Sequence, residues 1–200
     1  MKLLVAVICL AACGSDSSSS IDAKLVDAKL IDAPPAAQTA VSGTLGGNTF
    51  GAADAVANTV SASGFDFDAM STDVTIATFA NECTLQGSHT GVANGRVLVF
   101  ILASTDAAAS SSPITTTGTY TVFSGSPAAS SKLVEAYYEV DDGSCHKSTS
   151  EFATSGTVTV TSVGDPMTAT FDVTFPDGHI TGSYRAPRCS ALDPNSSPSC

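Results

Sequence analysis

The chain has 200 residues, with 8 Lys and Arg against 19 Asp and Glu, for a formal net charge of −11 at pH 7. Nucleic-acid binding needs a basic footprint, which this composition lacks, and the same negative charge opposes electrostatic adhesion to anionic lipid. Acidity of this size instead keeps an exported domain soluble.

In chain order, Met1 and Lys2 make a short positive start, followed by the apolar run Leu3 to Ala12. A helix needs about 20 apolar residues to cross the hydrocarbon core, so this run is too short to span it and reads as the front of a secretory signal. It ends in Leu10-Ala11-Ala12-Cys13, small residues directly before a cysteine. This resembles the lipobox of bacterial lipoprotein precursors. The resemblance implies that Leu10, Ala11 and Ala12 are read by the signal peptidase. It also implies that the Cys13 thiol takes a diacylglycerol, that cleavage falls just before Cys13, and that its new amino group is then acylated, palmitate being a typical chain. Two or more chains anchor lastingly where one does not. Gly14 follows the cysteine where an Asp would retain the protein at the inner membrane, so by resemblance to enteric lipoproteins the outer membrane is expected.

Beyond the cysteine come "GSDSSSS" and "IDAKLVDAKLIDAPPAAQTA", in which Ile/Val-Asp-Ala-Lys-Leu occurs twice. A period of five advances about 140° past a full helical turn, so Ile21, Val26 and Ile31 share no helix face. A spacer is the better reading than a lipid-binding helix. Flexible serines and the stiff Pro34-Pro35 give it an end-to-end reach on the order of 30 Å. Asp-Ala-rich tethers of this style are similar to those of many uncharacterised lipoproteins of soil-dwelling Gram-negative bacteria. The expected organisation is a signal peptide over 1–12, a lipidated cysteine and tether over 13–40, and a β-sandwich domain over 41–200 with a loose C-terminal tail.

From Val41 onward, short runs rich in threonine, valine and aromatics alternate with Gly, Pro, Asn and Asp, the pattern of strands and turns. Strands are expected near Val74–Thr78, Thr119–Phe123, Val134–Val140 and Thr157–Val163. "RVLVFILA", Arg96 to Ala103, is apolar on both faces and should be a central strand covered on each side. Met167, Ala169, Phe171, Val173 and Phe175 alternate with Thr168, Thr170, Asp172 and Thr174, one face buried and one wet. "PDGH", Pro176 to His179, then supplies a preset φ, an Asx-type bond and a glycine for positive φ, and turns the chain into Ile180, Gly182 and Tyr184. "GAADAVANTV" is ambiguous, and no segment carries a capped helical stripe. The fold class is therefore all-β, an antiparallel β-sandwich, with a closed barrel second. A transmembrane barrel is disfavoured because the second face is threonine and aspartate rather than lipid-facing apolar residues.

Cys9 leaves with the signal and Cys13 goes to lipid, which leaves Cys83, Cys145, Cys189 and Cys200. An even number in an exported chain points to disulfides, and of three possible connectivities Cys83 with Cys189 and Cys145 with Cys200 is taken. Zinc would have to recruit His89, His146 or His179, yet no Cys-x-x-Cys occurs and Cys145-His146 are neighbours pointing apart. "GFDFDAMSTD" offers Asp66, Asp68 and Asp73 as weak calcium ligands. An EF-hand loop counted from Asp66 needs glycine sixth and glutamate twelfth, where this chain has Ser71 and Ala77. Asp141, Asp142 and His146 in "EVDDGSCH" can be imagined with a serine as a hydrolase, but no Gly-x-Ser-x-Gly elbow exists and "DDG" reads as a turn. His179 is likewise accounted for by its hairpin.

Two functions from different classes follow. The first is a non-catalytic envelope module, structural or binding an envelope protein or a glycan, attached to the membrane by its N-terminal lipid and needing no cofactor. Tyr137 is its exposed contact candidate, with Tyr138 facing inward. The alternative is a calcium-dependent or hydrolytic envelope enzyme using the loops, which would require an acid, a histidine and a nucleophile to converge.

Overall fold

The computed structural model describes residues 38–61, 70–88, 90–126 and 128–189. Among them, twelve strands form: β1 Ala40–Leu45, β2 Asn48–Thr49, β3 Asp54–Ser61, β4 Met70–Ala77, β5 Arg96–Thr105, β6 Ser111–Pro113, β7 Gly118–Val122, β8 Lys132–Asp141, β9 Lys147–Phe152, β10 Ser155–Ser162, β11 Met167–Phe175 and β12 Gly178–Ala186. A single short helix, α1 Glu82–Ser88, joins β4 to β5.

All-β is as expected. The strands make one sheet in the order β2-β1-β12-β11-β10-β7-β8-β5-β4-β3, with β6 beside β5 and β9 beside β8. A sheet this wide, twisted throughout, curls. Its β3 end is met by the chain just past β12, which lies parallel to β3. There the Ala57 N–H donates to Pro187 O at 2.9 Å and the Cys189 N–H to Ala57 O at 2.8 Å. The facing layers expected of a sandwich are thus opposite parts of one curled sheet, and its concave side holds the core.

β5 lies between β4 and β8 and is buried along most of its length. Leu98, Phe100 and Leu102 enter the main core, while Val99, Ile101 and Ala103 belong to a second apolar cluster with Leu133 on the opposite face. β11 alternates as its sequence requires: Met167, Ala169, Phe171, Val173 and Phe175 are buried, and Thr170 and Asp172 are exposed. Phe171 meets Phe100 with ring centroids 5.1 Å apart, and Tyr184 of β12 stacks on Phe100 at 6.1 Å. This aromatic group ties β5 to β11 and β12 across the concave space.

The β11–β12 hairpin turns on Pro176-Asp177, with Phe175 opposite Gly178. Gly178 is required for a reason other than the positive φ expected of it. A Cβ there would lie 2.0 Å from the Thr44 carbonyl oxygen, so the glycine lets β1 cross close to the start of β12.

One pair departs from the expected antiparallel pattern, since β7 and β8 run parallel, with Thr121 opposite Leu133 and Val122 opposite Val134. The cause is where the intervening loop is fastened. Thr105 at the end of β5 accepts from Ser131 N–H at 2.8 Å through Oγ1 and donates that hydroxyl to Ala128 O at 2.6 Å, and Ser130 N–H reaches Asp106 O at 2.8 Å. Those bonds start β8 beside the end of β5, so β8 pairs antiparallel with β5, Ser104 opposite Lys132, and must run with β7.

The ambiguous "GAADAVANTV" contributes β3, paired along its length with β4. The helix α1 was not expected. It is held from outside its own sequence: the Asp54 carboxylate on β3 accepts from Glu82 N–H at 2.9 Å at its first residue, and Cys83 is bonded to Cys189.

Candidate functional site

Several sequence-derived sites lie outside the described residues: Leu10, Ala11, Ala12 and Cys13 of the lipobox, Asp66 and Asp68 of the acidic loop, His89, and Cys200. The remaining ones are placed by the strands and turns just described.

Cys83 and Cys189 form the disulfide expected of them. It joins α1 to the segment beyond β12, and Cys189 is 2% exposed. Cys145 is disulfide-bonded as well, and Cys200, the partner assigned to it from sequence, is outside the described residues. Cys145 sits in the β8–β9 turn with φ 57° and its N–H on Asp142 O at 3.2 Å. Its Cβ lies so close to Gly91 that a Cβ at that glycine would be 2.8 Å away.

Asp142 and His146 of "EVDDGSCH" make a turn. Asp142 Oδ1 accepts from Ser144 N–H at 2.7 Å and His146 N–H at 3.0 Å, the Asx arrangement that closes such a loop. Those two backbone bonds, His146 first, hold the Asp142 carboxyl below its ordinary value. The His146 ring lies 3.9 Å from Asp142 on the surface. In β12 the exposed His179 has its Nε2 2.8 Å from Asp172 Oδ1 of β11. Among the described residues neither histidine ring bonds a hydroxyl, and no three His, Cys, Asp or Glu side chains converge in a metal-holding group.

Asp73, the described member of the acidic loop, lies on the face of β4 away from the main core. It accepts from Ser71 Oγ at 2.7 Å, and burial pushes its carboxyl up to about 6 against that hydrogen bond. The register sets Asp73 beside Ile101 of β5 and Ile101 beside Glu135 of β8. Two acids therefore flank a fully buried isoleucine, and Glu135 itself is 8% exposed.

Tyr137 belongs to this same face. It is half-buried, not the exposed contact expected, because the outer cluster of Val99, Ile101, Ala103 and Leu133 packs against it. Tyr138 points into the core as expected, 2% exposed, with its hydroxyl donating to Asp177. Among the described residues the exposed aromatic is Phe152 on β9, directly opposite Tyr137, with ring centroids 5.5 Å apart and half its surface open. Sequence reasoning passed over Phe152 because "KSTSEF" has no alternation of its own. The signal was the cross-strand partner, Tyr137, visible only once β8 and β9 are paired.

Among the described residues no helix is long and apolar enough to cross a membrane. Comparison of the chain with protein-family models, with curated proteins and with solved structures found no match.

Proposed function

We propose that the protein is a lipid-anchored cell-envelope lipoprotein whose curled β domain is a non-catalytic module, structural or binding an envelope protein or a glycan. The carrying observation is that a chain with Leu10-Ala11-Ala12-Cys13 after a short apolar run folds with Cys83 and Cys189 oxidised together and Cys145 also in a disulfide. Disulfides persist in exported compartments and are rare in the cytosol, so they agree with a signal that sends the chain out. In this reading Cys13 carries the lipid, the following residues space the domain from the membrane, and the outer membrane is the destination. The exposed Phe152 ring over Tyr137, beside the Lys147–Glu139 ion pair, is the proposed contact patch, an aromatic rimmed by charge of the kind partners use.

Replacing Cys13 with serine tests the anchor. The variant precursor should remain uncut and take up no labelled fatty acid, while the wild-type chain is labelled and begins at residue 13. Normal labelling of the serine variant would overturn the assignment.

A further inference from the structure

α1 has seven residues, too few to stand alone, so its attachments decide whether it forms. Three are visible. Asp54 of β3 binds the Glu82 N–H, and the same carboxylate accepts from Ala55 N–H at 2.8 Å. The disulfide at Cys83 ties the helix to Cys189. The third is the Glu82 side chain, 3% exposed at the head of the helix, whose carboxyl pairs with the neutral amide of Gln86 one turn on. The charges acting on it are Asp54 from β3 and Asp141 from β8, both acids; Lys147 of β9 acts on Asp141, and among the described residues no cation acts on Glu82 itself.

We propose that α1 is a pH-sensitive clasp on β3, closed while the Glu82 carboxyl is neutral and loosened when it ionises between the carboxylates of Asp54 and Asp141. A neutral acid can stay buried against Gln86 and leave Asp54 to cap the helix. An anion there loses its hydration and is repelled from β3 and β8 together. Burial pushes the Glu82 carboxyl up to about 7, the Gln86 bond pulling the other way and the charges of Asp54 and Asp141 adding to the rise. With the closed-state value above the ordinary 4.5, the closed form holds the extra proton, and its advantage is lost as pH rises through about 7.

Opening is local. The 187–189 segment keeps its own bonds: Ala57 to Pro187 and Cys189, Arg188 N–H to Asp165 Oδ1 at 3.0 Å, and the Arg188 guanidinium to Val163 O at 3.2 Å. The disulfide holds the freed helix on a leash beside that segment. What opens is the part of β3 around Asp54, so the domain would present this surface in neutral or alkaline surroundings and cover it in acid.

Amide hydrogen exchange on the folded chain, corrected for intrinsic rate, tests this. Between pH 5 and pH 8.5 the protection of the Glu82 and Leu85 amides should fall about 75-fold, the ratio given by values of 4.5 open and about 7 closed, while the Ala57 and Cys189 amides hold theirs. Glu82→Gln should remove the fall. A fall of the same size in that variant, or flat protection in the wild type, overturns the proposal. A carbon-13 titration of the Glu82 carboxyl in the wild-type chain needs no variant: a midpoint near 7 supports the clasp, and one in the ordinary carboxylate range refutes it.

Discussion

Removing the Cys83–Cys189 bridge by changing both cysteines to alanine should cost about as much stability as truncating a large buried side chain of the core. The bridge spans 106 residues, more than half the chain. Closing a loop of that length restricts the unfolded chain by about 4.8 kcal/mol at 25 °C in the chain-entropy account. Measured bridges typically give about 2–4 kcal/mol because the unfolded chain is not a free coil, so a loss of about 3–4 kcal/mol is expected. In the native state the direct loss is one attachment of α1, with Asp54 still holding its first residue. Cys189 is buried but its N–H bond to Ala57 is made by the backbone, and alanine fills most of the thiol's place. The assay is equilibrium denaturation of the oxidised wild type and the double variant in guanidinium chloride. A lower midpoint should come with a steeper slope, since an unbridged chain exposes more surface on unfolding. A difference below about 1 kcal/mol with unchanged slope would refute the reasoning, because it would mean that the long loop is not what the bridge restrains.

Two tyrosines of the core should respond in opposite directions to loss of the hydroxyl. Tyr184 is 1% exposed and its hydroxyl has no partner among the described residues, so Tyr184→Phe should raise stability by about 1 kcal/mol in the same denaturation assay. Tyr120 donates to Thr116 O at 2.8 Å, and Tyr120→Phe should lower it by about 1 kcal/mol. Asp73, raised to about 6 by burial, binds its proton more tightly in the folded state. Its contribution is therefore fully present below the ordinary value of 3.8 and lost as pH rises through about 6, and thermal midpoints measured from pH 3.5 to 7 should show a downward component that Asp73→Asn removes. An unchanged profile in that variant would show that the carboxyl is hydrated in the folded chain.

Much of the candidate site was legible only where a single segment carries its own explanation. "DDG" and "PDGH" announce turns through residues that close on themselves, and the turn at Asp142 forms with the local bonds those residue types supply. The disulfide state of Cys83, Cys189 and Cys145 agrees with the expectation drawn from an even number of late cysteines, and Cys83 with Cys189 is the pairing expected among three possible connectivities. The exposed aromatic was misplaced for the opposite reason. Whether Tyr137 or Phe152 meets solvent depends on what packs beside each, and the cluster that shelters Tyr137 comes from β5 and β8, tens of residues apart in the chain.

The same division holds for the fold. Alternation in β11 and the two-sided apolar run of β5 determine burial by themselves, because side chains on a strand point alternately to either face and water selects between them. Nothing local determines that the strands join one curled sheet, that β7 and β8 run parallel, or that "ECTLQGS" coils into a helix. The parallel pair follows from a threonine at the end of β5 that captures a loop more than 20 residues away, and the helix from a carboxylate on β3 and a cysteine beyond β12. Those are partners that a segment acquires only when the rest of the chain has folded around it.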